Sequence, residues 1–159
     1  MSLVAWRIVQ HKFVKAAFSG DGARRFGGRW NSPGRAVVYT AQSQSLAALE
    51  ILVHVDSEEL LQLYVAIPVT IPEHLFTQVR LSALPKNWRA YPAPRSTRAI
   101  GDAWLAQASS PVLQIPSVVI PFESNFLLNP AHREFSKLRI GKPVPFHFDP
   151  RLSEKAKTL

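Results

Sequence analysis

Cysteine is absent from all 159 residues. That excludes a disulfide framework, a thiolate zinc site and a cysteine nucleophile. A reducing cytosol is the simplest home for such a sequence. Long apolar runs are missing too. The most apolar helical stretch, Leu46 to Val55, has about half the length a bilayer crossing needs, and it carries Glu50 and His54. Met1 to Lys15 holds no uninterrupted apolar core of signal-peptide length. Neither membrane insertion nor secretion is expected, and a cytoplasmic location is. Nucleotide fingerprints of the G-x-x-x-x-G-K-[ST] and G-x-G-x-x-G types do not occur. Nor does H-E-x-x-H or an acidic calcium loop. His11, His54, His74, His132 and His147 are scattered, so no bound metal is expected.

Negative charge is scarce. Asp plus Glu number 11 against 19 Lys plus Arg, a net charge of +8. Such a balance attracts polyanions: nucleic acid, a phosphorylated metabolite or an acidic partner. It also serves plain solubility. With 47% apolar and 19% charged residues the composition is globular rather than disordered. The length suits one domain, able to bury about two-thirds of its unfolded surface.

The coarse pattern predicts mixed elements. Val4 to Val9, Ala36 to Thr40 and Leu61 to Val69 read as strands. Phe18 to Gly34 carries five of the 7 glycines and reads as a loop. Ser43 is placed to cap a helix running to about Val55. Pro85 to Pro94 contains Trp88 and Tyr91 and reads as a packed loop. Thr97 to Ala108 has a helical apolar face. Val112 to Ile115, Ser117 to Ile120 and Asn125 to Leu128 read as short strands, the last two joined as a hairpin. From Asp149 the chain is polar and is expected to fray. Without regular βαβ alternation, the class is α+β.

Three clusters could carry chemistry. Gly27-Gly28-Arg29-Trp30-Asn31 combines a permissive backbone with a forked cation, a flat ring and an amide. An ordinary glycine turn with solvated arginines, including Arg24, Arg25 and Arg35, accounts for the same pattern. Glu50 lies in a helix apolar nearly all round, hence buried, and a buried carboxylate needs a partner. The Arg-rich loop is the expected supplier, and a structural ion pair is the plainer reading. Tyr39 ends a strand just before this helix, where its hydroxyl can reach a pocket at the strand's carboxyl end, although a lone tyrosine is more often core. In Glu123 to Pro130, Ser124, Asn125 and Asn129 interrupt an apolar segment and demand partners. Ser124 is not in a G-x-S-x-G elbow, and no histidine is marked as its base.

These segments in order resemble the RES-domain family. The resemblance rests on Gly-Gly-Arg29-Trp-Asn, Val38-Tyr39-Thr40-Ala41, Ala48-Leu49-Glu50 and Ser124-Asn125-Phe126-Leu127-Leu128-Asn129-Pro130-Ala131-His132, with Trp6-Arg7-Ile8 similar to the family's opening. The family's naming Arg, Glu and Ser map onto Arg29, Glu50 and Ser124. The segment from Val69 to Arg98 matches no family motif. The resemblance implies residues 1–150 as the domain, with 151–159 a polar tail. It implies an ADP-ribosyltransferase-like fold, a split, mixed β core around an NAD cleft with flanking helices. It also implies a bacterial toxin that consumes NAD+ as substrate, without a bound cofactor, by hydrolysis or phosphorolysis of the nicotinamide–ribose bond. The catalytic set is Glu50, Arg29, Ser124 and Tyr39. NAD+ is bound by Arg29, Tyr39, Arg7 and Asn125. The implied partner is a helix-turn-helix antitoxin of the Xre type that blocks the cleft and contacts DNA itself. Transfer of ADP-ribose to a protein is the alternative, followed by a basic RNA-binding or RNA-cleaving toxin. A pure interaction protein is a further class.

Overall fold

The computed structural model describes residues 1–156. In chain order the strands are β1 (Ser2–Gln10), β2 (Val38–Ala41), β3 (Tyr64–Pro72), β4 (Phe76–Gln78), β5 (Val112–Pro116), β6 (Ser124–Leu128), β7 (Arg139–Ile140) and β8 (Val144–Phe146). The α-helices are α1 (Asp21–Phe26), α2 (Gln44–Leu52), α3 (Arg95–Gln107) and α4 (Pro150–Ala156). All strands join one mixed sheet in the order β4-β5-β6-β2-β1-β3-β7, with β8 also on β3. Among the described strands, only β4 and β5 pair in parallel. This is the expected α+β class.

The sheet is nearly two sheets. β1 and β3 pair along their whole length, from Ser2 opposite Pro72 to Gln10 opposite Tyr64. On the other side β2, β6 and β5 form a continuous antiparallel ladder. The halves meet at one register pair, Trp6 opposite Ala41. Beyond it the strands part, and backbone groups there need other partners. Arg7 supplies one: its Nη1 donates to the Tyr39 carbonyl at 3.0 Å. The parting of β1 from β2 opens the cleft described below.

Alternation fixes the two faces of β6. Phe126 and Leu128 pack with Val38, Val69 and Ile71 in one core cluster. Leu127 packs on the other face with Trp30, Trp88, Trp104 and Ile115. Helix α3 covers this second face through Thr97, Gly101, Trp104 and Leu105, all buried and spaced as one helical stripe.

Several expectations are corrected. Phe18 to Gly34 is not all loop. Helix α1 sits within it, between Gly20 and Gly27, both at positive φ of about 70°. Arg24 and Arg25 there pair with Asp21 on the surface. Ser117 to Ile120 is not a strand. The Ser117 hydroxyl accepts the N–H groups of Val119 and Ile120, at 3.1 and 3.2 Å, and this local turn competes with extended backbone. The hairpin is therefore β5–β6, joined across residues 117–123. From Asp149 the chain is helical rather than frayed: Asp149 accepts the Arg151 N–H, and Ser153 is buried. Residues 157–159 of the expected tail lie outside the described residues. No helix among the described residues is long and apolar enough to cross a membrane.

Candidate active site

A cleft of about 910 Å³ opens where β1 and β2 diverge. That volume is in the range of small-molecule sites. Its walls come from β1, the Gly27–Trp30 turn, β2, α2, the 89–93 segment, the 118–119 turn and Asn125. Arg7, Arg29, Tyr39, Glu50 and Asn125 all line it, as a group drawn from five separate parts of the chain.

Helix α2 brings Glu50. Ser43 caps it, its Oγ accepting the Leu46 N–H at 3.1 Å. The helix closes at Leu52, three residues before the sequence-based limit, and only Leu46 and Ala47 are buried. Ala48 and Ile51 are half-buried against the same core cluster as these two, while Ile51 and, just past the helix, Val53 and Val55 also line the cleft. The apolar stretch thus covers core on one side and the cleft on the other.

The expected cation beside Glu50 is not there. Among the described residues no Lys, Arg or His forms an ion pair with it, because Arg29 is engaged elsewhere. Glu50 instead holds two neutral donors. Ser117 Oγ donates to Oε1 at 3.0 Å, and Asn125 Nδ2 donates to Oε2 at 3.0 Å. Both donors are locked. The Ser117 oxygen receives two backbone N–H groups, so its proton is directed to Glu50. The second Asn125 N–H goes to the Thr40 carbonyl at 3.1 Å. Burial pushes the Glu50 carboxyl above its ordinary range, the bonds from Asn125 and Ser117 pull it back, and nearby Glu123 adds to the upward push. The site therefore presents a half-buried carboxylate with no countercharge.

Ser124 does not join this group. Its hydroxyl accepts from Gln114 Nε2 at 3.0 Å, and its backbone ties to Gln42. It lines a separate small cavity with Gln114 and Phe122. The reason is the period of two: neighbours in β6 point to opposite faces, and Asn125 has the cleft face. Ser117, read in the sequence as part of a strand, stands against Glu50 instead.

The Gly-Gly turn is a scaffold. The Tyr39 hydroxyl donates to Asn31 Oδ1 at 2.6 Å and accepts the Trp30 N–H at 3.2 Å. A Cβ on Gly28 would stand 2.6 Å from that hydroxyl. Buried Asn31 spends its amide on the carbonyls of Ala23, Ser32 and Arg35. Helix α3 pins the turn from behind: Thr97 Oγ1 donates to the Arg29 carbonyl at 2.7 Å, and Asp102 accepts both the N–H and the hydroxyl of Ser32. Tyr39 thus offers the cleft its ring, while burial drives its hydroxyl well above the usual tyrosine range.

Three arginines line the cleft, Arg7, Arg29 and Arg89, and the first two are those named from the sequence. Arg7 is half-buried; its Nε is sealed from solvent without a partner, and burial lowers its pKa to about 10. It stays cationic at neutral pH, at an electrostatic cost that a bound anion would offset. Arg29 reaches across the cleft, its Nη1 donating to the carbonyls of Trp88 and Ala90 at 3.0 and 2.8 Å. Burial lowers its pKa as well. Sequence reasoning missed the receiving segment. Trp88 is buried and packs on Trp30 with centroids 6.4 Å apart, as a packed loop requires. Tyr91 is not packed: it is 87% exposed on the cleft wall.

A family model described as "RES domain" matches residues 4–149. The chain belongs to the RES domain family. The "Toxin Res" of Yersinia enterocolitica is 40% identical over 151 residues, covering 94% of this chain and 99% of that protein. The "Toxin Res" of Photorhabdus laumondii is 38% identical, over 98% of this chain and all of the other. The "Prs ADP-ribosylating toxin" of a Sphingobium species is 35% identical over the same share. Among solved structures, the RES domain here has the fold of a chain in the M. tuberculosis MbcT-MbcA toxin-antitoxin complex. The TM-score is 0.77 at 18% identity, covering all of this chain and 91% of that one.

Proposed function

We propose that this RES domain is the toxin of a toxin–antitoxin pair and cleaves the nicotinamide–ribose bond of NAD+. The observation that carries the reading is Glu50: a carboxylate held by Ser117 and Asn125, with no cation beside it, on the wall of a cleft flanked by arginines. Such an anion suits a ligand that brings its own positive charge. In NAD+ that charge begins on the nicotinamide ring. As the bond breaks, its electron pair passes to the ring nitrogen and positive charge moves to the ribose C1 and ring oxygen. Glu50 stabilises that charge without reorganising, because its donors are already fixed. Neutral nicotinamide leaves. Water or phosphate then attacks C1, and the attacking water gives its surplus proton to solvent. Arg7 and Arg29 hold the pyrophosphate, and the Tyr39 ring orients the nicotinamide. No general acid is required, since the leaving group departs without a proton.

The relatives named "Toxin Res" and the fold shared with a chain of a toxin-antitoxin complex support the toxin role. The expected partner is a helix-turn-helix antitoxin that covers the cleft mouth, and the NAD+ pool it guards is cytoplasmic. Transfer of ADP-ribose to a protein is the second reading, favoured by the Sphingobium relative's name. It shares every step up to the acceptor. RNA binding or cleavage leaves the locked Glu50 without a use.

The test is chromatography of the purified chain with NAD+, with and without inorganic phosphate, plus labelled NAD+ and lysate protein. Release of free nicotinamide and a small-molecule ADP-ribose product supports cleavage, and dependence on phosphate names the acceptor. Label on a protein moves the reading to transfer. No loss of NAD+ in either arm removes both.

A further inference from the structure

We infer that Arg89 and Tyr91 form the subsite for the adenosine diphosphate half of the dinucleotide, and so set the preference for NAD+ over shorter nicotinamide ribosides. This rests on the reading of the cleft as an NAD+ site. It concerns a segment, Pro85 to Pro94, for which the sequence offers no motif.

The reactive end of the substrate has one place to go. The nicotinamide–ribose bond must meet Glu50, which lies with Asn125 and the 117–119 turn. The rest of the molecule, a pyrophosphate and an adenosine, must lie along what remains of the cleft. That remainder has two parts: the wall of Trp6–Ile8 with residues 53–55, and the 89–93 segment together with the Arg29 turn. We take the second part, because it alone joins an arginine to an uncovered aromatic face. It carries the two chemistries such a half needs. Arg89 is anchored by one nitrogen only: its Nε donates to the Val118 carbonyl at 3.1 Å. Its two other guanidinium nitrogens have no partner among the described residues and can meet phosphate oxygens in a fork. Tyr91 presents an aromatic face that is 87% exposed, with no ring contact or hydrogen bond among the described residues. An uncovered aromatic face beside a free guanidinium suits a stacked base next to phosphate.

The segment is built to hold these groups still. Pro92 and Pro94 fix φ at their positions, so Tyr91 is presented rather than left to collapse. The carbonyls on either side of Arg89, those of Trp88 and Ala90, are both taken by Arg29. Arg29 is thereby tied to the backbone on both sides of Arg89. A pyrophosphate beside them would meet Nε and Nη2 of Arg29 and the two terminal nitrogens of Arg89, none of which has a partner among the described residues.

The experiment compares NAD+ with nicotinamide mononucleotide, which has the scissile bond but no adenylate. Nicotinamide release is followed for the wild-type chain, Tyr91→Ala and Arg89→Met, and each is scored as the ratio of kcat/KM for the two substrates. A folding defect lowers both values and cancels in the ratio. The wild-type chain is expected to prefer NAD+, and each variant to lose about tenfold of that preference, in line with the worth of one stacked base or one charge-assisted contact. ADP binding, measured by calorimetry on the same chains, is expected to weaken by the same factor. An unchanged ratio with unchanged ADP affinity in both variants overturns the subsite. If the wild-type chain releases nicotinamide from neither substrate, the cleavage reading fails. The ADP titration then decides alone: weaker binding in the variants keeps the subsite, and equal binding ends it.

Discussion

Glu50 is held by two hydroxyl and amide donors that have nowhere else to point, and residue-scale tests follow from that. Ser117→Ala removes one of the two bonds and leaves Val119 and Ile120 without their acceptor. Nicotinamide release is expected to fall about tenfold to a hundredfold. Ser124→Ala touches only the bond from Gln114, on the other face of β6, and is expected to stay within about twofold of wild type. The reverse order of the two variants would show that the assignment has the wrong serine. The raised Glu50 pKa also fixes a sign. The folded chain holds this proton more tightly than the unfolded chain, so ionisation opposes folding. The cost is absent below the ordinary glutamate range, grows as pH rises through it, and is fully present above the folded value. Glu50→Gln removes the ionisation but leaves one acceptor oxygen for two donors, so its amide mispairs with Ser117 or Asn125 at every pH. Its melting temperature relative to wild type should therefore rise between acid and pH 8; a relative fall contradicts the burial argument. Five of the six site residues named from the sequence, Arg7, Arg29, Tyr39, Glu50 and Asn125, converge in the cleft, since each sits in a motif tied to a strand or helix. Ser117 escaped because its role depends on a turn made by its own side chain, invisible to a pattern of alternating apolar residues.

Helix α3 shows what elements contribute beyond their own pattern. Its apolar stripe was legible, and its limits differ from Thr97 to Ala108 by two residues at the start and one at the end. What the pattern could not show is why Gly101 lies in it. Propensity alone favours alanine there by about 1 kcal/mol. In the structure a Cβ on Gly101 would stand 1.6 Å from the Trp30 carbonyl oxygen, an impossible contact. Gly101→Ala is therefore expected to destabilise the chain, by roughly 1–3 kcal/mol, and to lower activity by pushing back the turn that carries Arg29. Urea denaturation checks the sign; a stabilised variant would contradict the close packing of α3 on the turn. The β3 strand, by contrast, runs three residues past its predicted end, through Pro68 to Pro72. Pro68 faces β1 only opposite Trp6 within a long ladder, and the strand carries on beyond it. Elements bounded by local chemistry, such as the Ser43 cap, were readable. Helix α1 was not, because its six residues between two glycines are too few to show an apolar period.

At the scale of the whole molecule, a net charge of +8 surrounds a cleft that needs one anion locally. On the proposed function, the general field would steer a negatively charged dinucleotide toward the arginines and leave its positive end to Glu50. Association through such a field weakens with salt, because the screening length shortens from about 10 Å at 0.1 M to about 3 Å at 1 M. The kcat/KM for NAD+ is expected to fall severalfold over that range with kcat little changed; a flat response would assign the charge to another task, such as the antitoxin. The α+β architecture followed from short strands without βαβ alternation, and a split core from the family resemblance, whereas the place of the division, at Trp6 and Ala41, could not be seen until the strands were paired. That division opens the cleft that Glu50 lines. The most direct measurement is nicotinamide release at saturating NAD+ by Glu50→Gln beside wild type, both shown to be folded by thermal melting. The account predicts a fall in kcat of at least about a hundredfold. A kcat within twofold of wild type would contradict it.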